Sequence, residues 1–299
     1  MPPPPSLPAA PTAPPRTSER VFAVALGIFV GSILFSVAGT LLLSFFPEQA
    51  AVALGWIAQN LGLGLVDLVK GSTWAYMALM PLLTFLLYLP VLGMRRSVLF
   101  LLWGSLVGAA AELLGTQTGF PFGAYAYSDL LGAKIAGHVP WFIPPSWYAM
   151  SLVSYDLAGR LQLSRWGQIG AAAVFMVLWD VALDPAMTAG AHSGWSFWAY
   201  PGGGVFFGMP LVNWLGWLVT SVVIMWGYDR LLGGLDHAAR WAPLLYAVNV
   251  LFPVFICFAY GAALAGFLGL FALALVFVVV RHRGSQFLPE PARSQSARG

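Results

Sequence analysis

Residues 74–115 read WAYMALMPLLTFLLYLPVLGMRRSVLFLLWGSLVGAAAELLG, two apolar runs, 74–93 and 97–115, parted by Arg95 and Arg96. Each run has close to the length that crosses about 30 Å of hydrocarbon as an α-helix. The arginine pair marks a turn between two spans, and the second run closes on a carboxylate, Glu112. The same reading extends outward in both directions. Further spans are expected over 21–46, 144–160, 166–184, 210–229, 241–260 and 262–280, which makes eight.

The composition agrees. The 299 residues are 59% hydrophobic and only 8% charged, with a mean hydropathy of +0.79, outside the range of soluble domains. The fold class expected is an all-α polytopic membrane protein of about eight transmembrane helices. A net charge of +3 spread over short loops is what the positive-inside bias produces, so nucleic acid is not an expected partner. The single cysteine, Cys257, rules out an intrachain disulfide and a cysteine metal cluster.

Residues 51–69 fit a span poorly. Gln59, Asn60, Asp67 and three glycines make a bad lipid-facing helix, and the stretch is read as an interfacial or re-entrant element. Charge supports this. With the N-terminus cytoplasmic and eight spans, twelve arginines fall inside and only Lys70 and Lys134 fall outside. A ninth span at 51–69 would divide the arginines between the two sides. The expected placement is the cell (inner) membrane with both termini cytoplasmic. Residues 1–20 read as a disordered proline-rich tail, 21–283 as one transmembrane domain and 284–299 as a disordered tail.

Two loops on the outer side differ from ordinary connections. The first follows Glu112 and is dense in Phe120, Phe122, Tyr125, Tyr127, Trp141 and Phe142, interleaved with Gly and Pro. A loop of this kind folds back into the protein to line an apolar cavity. The second follows Asp180 and Asp184, with Pro185 marking the end of a span at Asp184. Pro144 and Pro145, and then Pro210, open the next helices, which sets Trp147, Tyr148 and Asn213 at the same depth. Glu112, in the last turn of its span, Asp180 and Asp184 thus gather in one outer-leaflet layer. An acid inside a span is costly and faces the protein interior, where it is protonated, paired or functional. Three acids at one level without an arginine or lysine point to function more than to helix locking.

Other residues carry blander readings. Asp156 and Arg160, four apart, form an ordinary helix pair. Asp229, Asp236 and Glu48 take the default of solvated charge, and Trp195, Trp198, Tyr200 and Trp241 the default of an interfacial aromatic belt. His138 and His192 lie in the two loops without a metal-ligand spacing, so no metal is expected.

Four blocks in order carry a resemblance: ELLGTQTGFPFGAY (112–125), HVPWFIPPSW (138–147), WDVALDP (179–185) and FGMPLVNWLGW (207–217). Together, over roughly residues 75 to 280, they resemble the CruF-type carotenoid 1,2-hydratase family. The resemblance implies a cofactor-free lyase that adds water across the terminal double bond of an acyclic carotenoid such as lycopene or gamma-carotene, giving a tertiary 1-hydroxy or 1'-hydroxy product. It carries no residue roles.

The roles come from the residues. Protonating a trisubstituted alkene needs a positioned acid and leaves a tertiary cation for water to capture. Asp184 is assigned as donor with Asp180 sharing its proton, and Glu112 as the group that orients water and takes its proton. Phe122, Tyr125, Trp147, Tyr148 and Trp217 line the substrate site and face the cation, and Asn213 holds water. The partners expected are the carotenoid arriving from the bilayer, water, lipid and other enzymes of the same pigment pathway. Two alternatives stay open: an intramembrane prenyltransferase using Asp180 and Asp184 as a D-x-x-x-D motif, and a proton-coupled lipid or small-molecule transporter.

Overall fold

A computed structural model describes residues 17–188 and 196–285. The tails beyond these, and His192 and Trp195, lie outside the described residues. The described residues form eight α-helices: α1 (Thr17–Phe45), α2 (Pro47–Leu61), α3 (Leu65–Thr118), α4 (Ile143–Gly159), α5 (Arg165–Thr188), α6 (Val212–Arg230), α7 (Ala242–Ala259) and α8 (Ala263–Ser285). Five of them, α1, α3, α5, α7 and α8, are long and apolar enough to cross a membrane. This is an all-α membrane protein, as the composition requires.

Helix α3 covers both apolar runs of the opening stretch. Its 54 residues would extend about 80 Å if straight, far beyond one bilayer. The chain turns instead at Gly93, whose φ of 70° and ψ of 164° lie in a region open to glycine. Contacts with α4 show that the two arms run oppositely. Tyr88, before the turn, reaches Asp156 near the end of α4, and Trp74 packs on Phe142 just before its start. After the turn, Gly104 and Gly108 lie against Tyr148 and Trp147 in the first turns of α4.

Helix α4 is the axis of the bundle. It is buried almost throughout from Ile143 to Ala158, as a helix enclosed on every side must be. The close approach of α3 depends on small residues: a Cβ at Gly108 would stand 2.7 Å from the Trp147 ring, and Gly104, Gly108 and Glu112 follow at intervals of four on one face.

Several boundaries differ from the sequence reading. The first helix starts at Thr17, so the last residues assigned to the tail are helical. Residues 51–69 are two elements. Helix α2 has 15 residues, about 22 Å, too short to span; it stops at Gly62, which takes a left-handed φ of 65°, and α3 begins at Leu65. Glu112 lies more than a turn before the end of its helix at Thr118. Pro185 does not end α5, which continues to Thr188. Beside it the Ala182 carbonyl accepts Cys257 Sγ–H from α7 at 3.3 Å, one way a bundle tolerates proline within a span.

The end of the bundle away from Glu112 collects the arginines. Arg96 pairs with Asp236 at 2.8 Å and Arg165 with Asp229 at 2.9 Å. Asp229, expected to be solvated, is largely covered and also accepts from Tyr155. Asp156 is more than half of a helix pair: besides Arg160 it accepts from Tyr88 at 3.0 Å and from the Ala239 amide at 2.6 Å. It joins α4 to α3 and to the connection between α6 and α7.

Candidate active site

At the opposite end, the two aromatic loops meet. Residues Ala126–Tyr127 (β1) and Trp198–Ala199 (β4) form an antiparallel ladder with Ala126 opposite Ala199 and Tyr127 opposite Trp198. Lys134–Ile135 (β2) and Val139–Pro140 (β3) make a second small ladder within the first loop. The β1–β4 pairing places the donors of one loop beside those of the other.

Glu112 stands on α3 and is buried. Its Oε1 accepts Trp147 Nε1–H at 2.9 Å, and its Oε2 accepts the hydroxyls of Tyr127, at 2.8 Å, and of Tyr125. Asp184 stands on α5. Its Oδ1 accepts Trp198 Nε1–H at 2.5 Å, Tyr200 Oη lies 3.0 Å from both carboxylate oxygens, and Asn213 Nδ2 donates to Oδ2. Both acids thus receive N–H and O–H donors on both oxygens, an arrangement that replaces the hydration lost on burial. Burial, with the nearby carboxylates, pushes the loop phenols Tyr125, Tyr127 and Tyr200 above the ordinary tyrosine range, so they stay protonated and act as donors.

Asp180 sits one turn deeper on α5 and is wholly buried. Its Oδ2 accepts from the same Asn213 amide at 3.1 Å, and its Oδ1 has no hydrogen-bond partner among the described residues. Asn213 therefore ties the two aspartates together.

Aromatic rings join the two acid centres. Trp147, the donor to Glu112, lies with its ring centroid 4.4 Å from that of Trp217, and Trp217 meets Trp179 at 5.6 Å. Phe122 packs on Trp147, and Tyr125 on Tyr200 at 5.9 Å. These groups wall a cavity of about 410 Å³. Among the described residues, Glu112 and Asp184 are the two acids on its surface, and no Lys, Arg or His lines it.

Most of the residues singled out in the sequence converge here. Glu112, Asp184, Phe122, Tyr125, Trp147, Asn213 and Trp217 all line the cavity. Asp180 and Tyr148 do not. Asp180 lies behind Asp184, and Tyr148 is on the side of α4 that packs against Gly104 of α3. Trp198 and Tyr200 were assigned to an interfacial belt; they are hydrogen-bond donors to Asp184. With Tyr127 and Trp179 they complete the wall. The available signal was the presence of Tyr and Trp in the loop directly after each acid-bearing helix. Among the described residues no group of three or more His, Cys, Asp or Glu is placed to hold a metal ion.

Comparison with known proteins places the chain in a family. The carotenoid biosynthesis protein family matches residues 72–281, a stretch that contains every residue of the acid and aromatic cluster. The chain belongs to this family. Bisanhydrobacterioruberin hydratase from Haloarcula japonica is 31% identical over 159 residues, covering 50% of this chain and 52% of its own. The chain thus spans about half the length of the curated relative it matches. No solved structure matches it.

Proposed function

We propose that the protein is a carotenoid hydratase that adds water to the terminal carbon–carbon double bond of an acyclic carotenoid end, of the lycopene or gamma-carotene type. The observation that carries this reading is the pairing of Glu112 and Asp184 in one aromatic-walled cavity that, among the described residues, no Lys, Arg or His lines. The likeness to a hydratase supports it. A cavity of this kind suits a neutral hydrocarbon better than a diphosphate, which would need cations around it. That distinction favours hydration over the prenyltransferase alternative.

The reaction divides between the two walls. The carboxyl of Asp184 gives its proton to the less substituted carbon of the terminal alkene, and the π pair becomes the new C–H bond. The tertiary cation left behind faces the rings of Trp147, Trp217 and Phe122, whose negative faces stabilise charge without acting as nucleophiles. Water held by Glu112 and Asn213 attacks the cation, and Glu112 takes the proton released. Return of that proton to Asp184 closes the cycle, so no redox or group-transfer cofactor enters the balance. Asp180, held by the same amide as Asp184, shares the proton of the pair from behind.

The arginine-bearing end then faces the cytoplasm, and the acid layer the outer leaflet. The test is expression in cells that accumulate lycopene, with mass analysis of extracted pigment. Gain of one water supports the reading. Unchanged pigment from both lycopene and gamma-carotene, in membranes shown to contain the protein, refutes it.

A further inference from the structure

The cavity does not end at the acids. It continues between α1, α2, the first turns of α3 and α7, where its lining includes Gly39, Leu54, Leu68 and Ile256. Much of this wall precedes residue 72, where the family match begins. The far half of the cavity is therefore built largely by helices outside the matched segment.

Helix α2 has an unusual partner for its apolar face. Ala50, Ala53, Leu54 and Ile57, at positions i, i+3, i+4 and i+7, all line the cavity. Glu48, Gln49, Gln59 and Asn60 are exposed. Such a stripe ordinarily packs on a protein core; here it closes over a continuous extension of the space that holds Glu112 and Asp184. Gly39 on α1 faces the same space, and a Cβ built there meets nothing within 4 Å.

We infer that α2 is the specificity element of the site: its stripe, with Gly39, seats the non-reacting arm of the acyclic carotenoid and so decides which chains place their terminal double bond at Asp184. This rests on the hydratase reading above. The occupant is the substrate's own polyene, because the space is continuous with the acid-bearing pole and its wall is mostly apolar, with hydroxyls at Ser36, Thr40, Ser72 and Thr73 and no charged group among the described residues of this half. Alanine at 50 and 53 and glycine at 39 leave the width that a rigid conjugated chain needs, and larger side chains there shorten the seat.

The experiment compares Ala53→Phe and Gly39→Phe with Val52→Phe, which enlarges an exposed position on the opposite face of α2. Each protein is supplied with lycopene and with a shorter acyclic carotenoid bearing the same terminal group, and is also purified from lycopene-accumulating cells for analysis of bound pigment and lipid. The expected result is a fall of about tenfold or more in hydration of lycopene relative to the shorter chain for the first two variants, the loss expected from overfilling a packed site. They also lose co-purifying pigment, while Val52→Phe matches wild type. An unchanged product ratio overturns the inference, as does wild-type protein that carries phospholipid in place of pigment. Wild-type protein that retains pigment but hydrates neither substrate refutes the hydratase reading and leaves the seat standing.

Discussion

Tyr127 and Trp198 stand opposite each other in the β1–β4 ladder, with ring centroids 5.8 Å apart, and each donates to a different acid, Tyr127 to Glu112 and Trp198 to Asp184. A two-residue pairing between loops therefore sets the geometry of two carboxylates carried on separate helices. Neither loop orders its donor alone. The ladder ties the donors of the two carboxylates together, as the proposed division of labour between Asp184 and Glu112 requires.

Trp198→Phe keeps the ring and removes the N–H. Removing one partner of a buried hydrogen bond costs about 1–3 kcal/mol, so hydration is expected to fall roughly 5- to 100-fold with membrane abundance unchanged. Combining it with Tyr127→Phe should give a loss that departs from the sum of the single effects by at least about 0.5 kcal/mol. Pigment turnover in the four proteins of this cycle reads both numbers. A belt residue would show neither effect.

The two aspartates are expected to separate. Asp184 lines the cavity and Asp180 does not, although one Asn213 amide reaches both. Asp184→Asn should lower hydration by about 100-fold or more, the scale of a lost general acid. Asp180→Asn, which leaves the cavity wall intact, should cost closer to tenfold through the position of Asp184. Equal losses would mean that the proton belongs to the pair as a whole, and a larger loss in Asp180→Asn would reverse the assignment.

Gly108 sets how deeply Trp147 sits. A Cβ there stands 2.7 Å from Trp147 Cβ and Cγ, and those atoms belong to the base of the ring, so the ring has to move as a body. Gly108→Val is expected to cost about 1–3 kcal/mol of stability by overpacking. It also draws Trp147 Nε1 away from Glu112, so turnover falls in protein that still folds. Thermal denaturation in detergent and pigment assays on the same preparation check the two effects separately.

Much of the site was legible because acids inside apolar runs are rare and the prolines fix where helices open. Glu112, Asp184 and Asn213 were placed at one depth from that alone, and the structure puts them in one cavity. Faces were harder. When almost every position of a span is apolar, as in α4, periodicity does not tell which side meets the cavity, and Tyr148 was assigned to the wrong side of its helix for that reason. Trp198 and Tyr200 were missed because a belt residue and a buried donor have the same composition; they differ only in the register between two loops distant in sequence. Helix α2 was hidden by Gly55 and its polar ends, which say nothing of what lies beneath its apolar stripe.

The arginine-bearing end yields a prediction about stability alone. The Asp156 side chain is fully covered, and it is held by Arg160 Nε–H at 3.0 Å, the Tyr88 hydroxyl and the Ala239 amide. Arg160 is itself about a quarter exposed, so its charge is partly solvated. Arg160→Met removes the cation and leaves the buried carboxylate with two neutral donors. Breaking a buried pair from one side costs about 3–5 kcal/mol, and the partial exposure of Arg160 argues for the lower end of that range. The double variant Asp156→Leu/Arg160→Met removes the stranded charge as well and should recover much of the loss, since an apolar pair of similar size avoids the desolvation of both ions. Unfolding midpoints in detergent for the wild type, the single and the double variant test this. The folded fraction of each should hydrate pigment at the wild-type rate, because this network lies at the end of the bundle away from Glu112 and Asp184.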